Sequence, residues 1–318
     1  MTRFMSDMPP AGTHTPLAPG WGAAEAHARY EELRAVLPRA RFGGAPRRIR
    51  DLVAVIERFD AFVLDAFGVL NIGETAIAGA VERVAQMRRA GKPVVVLTNG
   101  ASHARAAALA KYRRLGFDFA PEEVVASRDI AAEALAQWPH THVWAAMTAA
   151  GAGFDDIPLD LRPLDRAPEL VHRADGFVFL GSEGWTEARQ AALIAALRDR
   201  PRPLVVANPD IVAPREDGLT LEPGHFAHQI AAATGVAPHF FGKPFSNAFD
   251  AVMRRLPAGL ARERIAMVGD TLHTDILGGR AAGMGTVLIA GHGLYAGQDA
   301  AGYIAGSGIR PDYLAATT

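Results

Sequence analysis

The sequence predicts an α/β protein: a doubly wound, largely parallel sheet as the core, with a second α/β unit inserted into it. Three observations predict this. Short, unbroken apolar runs (AFVL, VVVL, IAMVG, TVLI) alternate with amphipathic helical stretches, the rhythm of a parallel sheet covered on both faces. Three of the strand candidates end in polar groups of one kind, at Asp65, at Thr98-Asn99 and at Asp270. The length, 318 residues, is more than one typical domain needs.

The elements follow in order. Residues 1–22 are rich in Pro, Gly, Thr and Ala without an apolar period, and are expected as a flexible tail. Residues 23–37 suit a helix stopped by Pro38, 41–50 a loop, and 51–58 a short helix. AFVLD (61–65) reads as a strand, 76–91 as a helix closed by Gly91, PVVVLTNG (93–100) as a buried strand, and 102–116 as a helix. The rhythm continues with a helix over 127–138, strands over 141–147 and 175–181, a helix over 185–200, a strand over 203–208 and a helix over 224–235. HFFGKP (239–244) is a short link. A helix over 246–256, the strand RIAMVGD (264–270), a helix over 273–283 and the strand MGTVLIAG (284–291) follow. The stretch from Tyr303 is expected as a closing loop or short strand. The division is therefore a core of 23–126 and 239–318, and an inserted α/β cap of 127–238.

Composition narrows the function. Lys and Arg number 33 against 34 Asp and Glu, a formal net charge of −1. That balance gives no electrostatic footprint for nucleic acid or an anionic membrane. There are no cysteines, so disulfides, thiolate metal sites and cysteine nucleophiles are all excluded. The first ten residues carry Asp7 and two prolines where a signal peptide needs an apolar run, and no stretch is long and apolar enough to span a bilayer. A soluble, cytoplasmic protein is expected; homodimerisation is left open. P-loop, G-x-G-x-x-G and G-x-S-x-G patterns are absent. Only Lys92, Lys111 and Lys243 among the basic residues are lysines, and Lys243 stands in a glycine–proline turn before a helix.

In open α/β sheets a ligand binds beyond the carboxyl ends of the strands. Asp65, Thr98, Asn99 and Asp270 would converge there. Each alone is more simply a helix cap or an Asx turn; together they suggest a site. Asp275 lies five residues after Asp270, so one loop can present both carboxylates to one cation. Two or three carboxylate oxygens completed by water suit Mg²⁺. The alternative for Asp275 is a first-turn acid complementing the helix dipole.

These residues resemble a known family. In order, Asp65-Ala-Phe-Gly-Val-Leu70, Leu97-Thr98-Asn99, Gly242-Lys243-Pro244 and Gly269-Asp270-Thr-Leu-His-Thr-Asp275-Ile276 are similar to the four motifs of the haloacid dehalogenase (HAD) superfamily. The insertion between the second and third motifs resembles the C2 cap of its class IIA, the nitrophenylphosphatase-like group, as does Ala207-Asn-Pro-Asp210 within it. The resemblance implies a Rossmann-like core and a Mg²⁺-dependent hydrolase or transferase acting on a small phosphorylated metabolite through an aspartyl-phosphate. Asp65 would be the nucleophile and a metal ligand. Thr98 and the Asn99 amide would hold the phosphoryl oxygens, and Lys243 would neutralise charge. Asp270, Asp275 and the Phe67 backbone carbonyl would complete the metal site, and His273 is a candidate for touching the substrate.

Phe67 departs from the pattern. The resemblance implies a second aspartate there, protonating the leaving oxygen, and a phenyl ring cannot do so. General acid–base assistance is worth about 10²–10⁴ in rate, so hydrolysis of alkyl phosphates should suffer. Superfamily dehalogenases also lack that aspartate, but they need no metal pair such as Asp270 and Asp275. The other reading is a silenced member that binds a phosphorylated ligand or a protein partner; the retained Asp65, Thr98, Lys243, Asp270 and Asp275 argue against it.

Other features rank lower. His225 and His228, three apart on one helix, lack a third zinc ligand. His140 and His142 are expected at the surface, Asn208 and Asp210 in a turn of the cap. Trp138, Trp144 and Trp185 suit core packing better than a substrate wall.

Overall fold

The computed structural model describes residues 20–138, 142–149, 151–215 and 218–318. Its larger sheet has seven strands, all paired in parallel. At the centre β2 (Ala61–Leu64) lies between β5 (Val94–Thr98) and β14 (Ile265–Gly269). Beyond β5 comes β6 (Val124–Ala126). Beyond β14 come β15 (Gly285–Ile289), β16 (Tyr313–Ala315) and β1 (Arg47–Ile49). The chain thus builds outward from β2 on one side, leaves for the insertion, and returns to build outward on the other. That reversal puts the carboxyl ends of β2, β5 and β14 around one crevice.

The period of two along β2 explains the two covered faces. Phe62 and Leu64 pack with Val94, Val96, Ala266 and Val268 under α2 (Ala80–Arg89) and α3 (Arg105–Arg114). Ala61 and Val63 pack with Val95, Leu97 and Met267 under α4 (Ser127–Leu135) and α8 (Ser246–Met253). Each large apolar side chain buried this way stabilises the fold by roughly 1.5–3 kcal/mol.

The insertion forms a second parallel sheet of five strands. Its order is β13 (His239–Phe240), β10 (Leu204–Val206), β9 (Gly176–Phe179), β7 (Val143–Met147) and β8 (Asp160–Pro163). On it α5 (Leu170–Arg173), α6 (Glu187–Asp199) and α7 (Pro223–Thr234) bury a core around Phe177, Phe179, Trp185 and Leu193. Trp144 is fully buried and Trp138 packs edge-on against it, so the tryptophans are packing residues. Two short hairpins complete the strands: β3 (Asn71–Ile72) with β4 (Thr75–Ala76), and β11 (Val212–Arg215) with β12 (Gly218–Leu221).

The structure departs from the sequence reading in several places. The loop expected over 41–50 contains β1, an edge strand whose outward Arg47 and Arg48 hide its period. The stretch from Tyr303 is neither loop nor strand at its start: α10 (Ala300–Ser307) precedes β16. β6, β8 and both hairpins have only two to four residues per strand, too few to show a period in the sequence. The helix expected from His273 begins as a wide turn of π-helix over Leu272–Ile276 and becomes α9 (Leu277–Ala281). The link 239–244 opens with β13, which pairs with β10 of the cap, so the boundary at 238/239 falls one strand early. The segment 51–58 is a 3₁₀ helix whose Asp51 side chain accepts from the Val53 amide at 2.9 Å. Residues 1–19 and His140 lie outside the described residues.

The segment before the core has a defined place. α1 (Ala23–Glu32) sets Ala23, Ala26 and Tyr30 against Ile211 and Val212 of the insertion and against Leu272, Ile276 and Leu277 of the core. Among the described residues no helix is long and apolar enough to cross a membrane.

Candidate active site

The crevice at the carboxyl ends of β2, β5 and β14 is lined from both units. Asp65 leaves β2, and its Oδ1 accepts from the Ala66 amide at 2.7 Å. Asp270 leaves β14. Its Oδ2 accepts from the Leu294 amide at 2.8 Å and its Oδ1 from the Thr271 hydroxyl at 2.9 Å. Asp275 sits in the π-turn, with Oδ2 accepting from the Thr271 amide at 3.1 Å. Oxygens of Asp65, Asp270 and Asp275 all lie within 4.8 Å of one another. Close approach here needs glycine: Gly68 has φ +73°, and a Cβ on it would fall 2.5 Å from the Asp270 Cβ.

Lys243 answers this negative charge. Its Nζ is 2.5 Å from Asp65 Oδ1 and 2.7 Å from Asp275 Oδ1, with the side chain almost wholly buried. Burial alone would lower the ammonium pKa; the facing Asp275, Asp65 and Asp210 outweigh it and raise it above the usual lysine range. One lysine does not neutralise three carboxylates. Burial, with Asp275 beside it, lifts Asp65 to about 7 even though Lys243 pulls the other way. Burial, then Asp275 and Asp65, lift Asp270 well above the carboxylate range. Three buried hard oxygen donors left short of positive charge are the donor set that a divalent cation of the Mg²⁺ type fits.

Thr98 and Asn99 close the crevice from β5. The Thr98 hydroxyl accepts from the Gly100 amide at 3.1 Å. The Asn99 side chain is a clasp: Nδ2 donates to Lys243 O at 2.9 Å and Oδ1 accepts from Lys243 N at 2.8 Å. Nδ2 also donates to Asp210 Oδ1 of the insertion at 2.8 Å. The Asn99 side chain is thus committed to holding the Lys243 loop.

Phe67 also lines the crevice. Its ring lies under two cations, Lys111 Nζ at 4.9 Å and the Arg215 guanidinium at 5.2 Å from the centroid. Arg215 comes from β11 and is held by Glu222 Oε1 at 3.2 Å and Thr220 Oγ1 at 3.2 Å. Glu222 also accepts from Asn208 Nδ2 at 3.1 Å.

Of the sequence-derived candidates, Asp65, Phe67, Thr98, Asn99, Lys243, Asp270 and Asp275 meet at this crevice. His273 does not. The π-turn sends its ring to the opposite side, stacked on Tyr30 (centroids 4.9 Å, interplanar 6°), with Nε2 2.6 Å from Glu31 Oε1. It is fully buried there, and burial lowers its pKa to about 2, so it is a neutral docking residue for α1. His27 of α1 joins Glu31 and His273 as a second group of ligand-type atoms, but Glu31 is already hydrogen-bonded to His273 and the Arg34 charge opposes a cation. Asn208 and Asp210, expected only as a turn of the cap, line the crevice, and so do Arg215 and Glu222, which the sequence reading did not single out; all four come from the insertion. The Asn208-Pro-Asp210 turn after a strand was the available signal; nothing in the sequence aimed it at the core.

Comparison with known proteins bears on this constellation. Residues 62–153 match the family model of haloacid dehalogenase-like hydrolases, and residues 240–317 match a second model of HAD-like hydrolases. An acid sugar phosphatase of Staphylococcus aureus is 27% identical over 233 residues, covering 73% of this chain and 86% of that protein. The crystal structure of a possible sugar phosphatase of the HAD superfamily from Cytophaga hutchinsonii superposes with a TM-score of 0.75 at 25% identity, covering 85% of this chain and 98% of that one. A glycerol phosphate phosphatase from Mycobacterium tuberculosis, solved with magnesium, gives 0.64 at 26% identity over 82% of this chain and 75% of that one.

Proposed function

This chain belongs to the haloacid dehalogenase-like hydrolases, class IIA, and from that membership we propose that it is a Mg²⁺-dependent phosphatase of small phosphorylated metabolites, with sugar phosphates as the first class to test. The observation that carries the reading is the convergence of Asp65, Asp270 and Asp275 oxygens within 4.8 Å, with Lys243 Nζ bridging Asp65 and Asp275. It lies at a crevice roofed by a second unit, the arrangement that suits a small substrate.

Asp65 attacks phosphorus and forms an aspartyl-phosphate, which water then hydrolyses. The Thr98 hydroxyl and the Asn99 amide bind phosphoryl oxygens. Lys243 holds Asp65 in the attacking position and offsets charge on the transferring group. Asp65, Asp270, Asp275 and the Phe67 carbonyl would hold Mg²⁺, which when bound supplies the positive charge that lets a phosphate dianion meet these carboxylates. The roof of Asn208, Asp210, Arg215 and Glu222 excludes water and orients the alcohol portion of the substrate.

The test is a screen of phosphate esters with Mg²⁺, run beside Asp65→Asn. Turnover by the wild type and none by the variant is expected. A rise in melting temperature with phosphate and Mg²⁺, but no turnover of any ester, would instead favour the silenced binding protein that Phe67 suggests.

A further inference from the structure

Phe67 leaves the reaction without a core carboxyl to protonate the leaving group, and His273 faces away. The crevice holds two more carboxyls outside the three-carboxylate cluster, those of Asp210 and Glu222, and Glu222 is engaged by Arg215, Thr220 and Asn208. Asn208 Oδ1 accepts from the Asp210 amide at 3.0 Å, turning the chain after β10 so that Asp210 meets the core. Its Oδ1 accepts from Asn99 Nδ2, a neutral donor. Among the described residues no cation lies within salt-bridge distance of it; Lys243 is taken by Asp65 and Asp275, and Arg215 by Glu222.

Charge then decides where a proton stays. Asp65, Asp210, Asp270 and Asp275 face one lysine, and even a bound divalent cation leaves this group net negative before a phosphate arrives. With Asp65 and Asp275 on Lys243 and Asp270 grouped with them at the cation position, Asp210 is the one of these four left without a positive partner, and it keeps its proton. Burial pushes Asp210 up to about 8; Asp65 and Asp275 push the same way, and Lys243 and Asn99 offset this only in part. The Tyr30 hydroxyl, also buried nearby, stays neutral, since burial and Asp210 raise it further.

We infer that Asp210, reaching down from the inserted unit, is the general acid of this enzyme for alkyl phosphate esters. The inference rests on the phosphatase reading above. As Asp65 Oδ bonds to phosphorus, the bond from phosphorus to the ester oxygen breaks; that oxygen keeps the electron pair and takes the Asp210 proton, leaving as the alcohol. Asp210, now a carboxylate, takes a proton from the water that attacks the aspartyl-phosphate, and inorganic phosphate and free Asp65 are restored. The acid sits on the roof, so it reaches the ester oxygen only when the roof covers the site.

The experiment compares wild type, Asp210→Asn and Asp65→Asn on glycerol phosphate and on 4-nitrophenyl phosphate, with Mg²⁺. Asparagine retains an oxygen to accept from Asn99 and lacks only the proton. Asp210→Asn should lower kcat on glycerol phosphate by about 10²-fold or more, the range of general acid assistance. On 4-nitrophenyl phosphate, whose leaving group departs unaided, the first-turnover burst of nitrophenolate should change by less than about threefold while the steady state slows with the dephosphorylation that Asp210 also serves; a cooperative melting curve shows that the variant is folded. Wild-type kcat on glycerol phosphate should fall above about pH 8, and that limb should vanish in the variant. Equal losses in the first turnover of both esters, or none on either, would overturn the assignment while leaving the phosphatase reading intact. Absence of turnover by the wild type on both would remove the reading and the acid together.

Discussion

The Tyr30 hydroxyl accepts a hydrogen bond from the Ile211 amide at 3.1 Å, joining a helix that precedes the core to the first residue after the Asn208-Pro-Asp210 turn. Both groups are buried, so neither can turn to water. The same helix packs on Leu272 and Ile276 beside the metal-type carboxylates. α1 therefore fixes where the roof of the crevice stands over the core.

Removing that hydroxyl isolates a buried donor. Tyr30→Phe should destabilise the protein by about 1–3 kcal/mol, the cost of an unsatisfied buried amide. Urea unfolding of the two proteins checks the figure; an unchanged midpoint would show that the Ile211 amide finds another acceptor.

Asp65→Asn should abolish phosphatase activity, and so should chelation of divalent cations. An amide is not a competent nucleophile, and it is a poorer ligand than a carboxylate. Because Asp65 is buried and forced toward the protonated state, the variant should fold at least as stably as the wild type without Mg²⁺. Rates with and without a chelator, together with melting curves, test both halves.

Lys243→Arg should cost at least about 10²-fold in kcat although the charge is kept. Nζ lies between two carboxylates at 2.5 and 2.7 Å, with Asn99 clasping the backbone on either side. A planar guanidinium is too wide for that gap. Wild-type kinetics in the variant would mean that the lysine serves as a charge alone.

Phe67→Asp restores a carboxylate at the position where the family pattern has one, but the surroundings work against it. Lys111 and Arg215 now sit over the ring and would hold the new carboxylate ionised. Alkyl phosphate turnover should therefore rise by much less than about 10²-fold in the wild-type background. It should recover partly in Asp210→Asn, where no other acid remains. The kcat values of the two single variants and the double variant decide this.

His225 and His228 make stability depend on pH. Burial holds both down to about 4, against an ordinary value near 6.5. The unfolded chain thus binds more protons in that window. Their contribution is complete above about pH 6.5 and is lost as pH falls toward 4. His228 packs on Phe240 with centroids 4.8 Å apart, so His228→Phe keeps the ring and removes the titration. Its melting temperature should fall less between pH 7 and pH 5 than that of the wild type.

The core of this fold is legible in the sequence because a strand buried on both faces must be apolar throughout, and its polar end then stands out. Asp65, Thr98, Asn99 and Asp270 could be found by that contrast alone. Asp275 followed from its distance to Asp270 along the chain, and Lys243 from its turn. Edge strands such as β1 could not be read this way, since one side faces water and their burial period is lost within three residues.

What the sequence determined by itself is the set of groups carried at the ends of β2, β5 and β14, because adjacent parallel strands deliver their carboxyl ends to one place. Tertiary structure alone decided what faces that place from elsewhere. His273 lies two residues from Asp275 yet points to α1, because a π-turn rotates it away from the crevice. Asp210 lies 111 residues from Asn99 yet accepts its hydrogen bond, because the insertion folds back over the core. Side-chain direction depends on a turn's dihedral angles and on packing between separate units, and neither is encoded in local spacing.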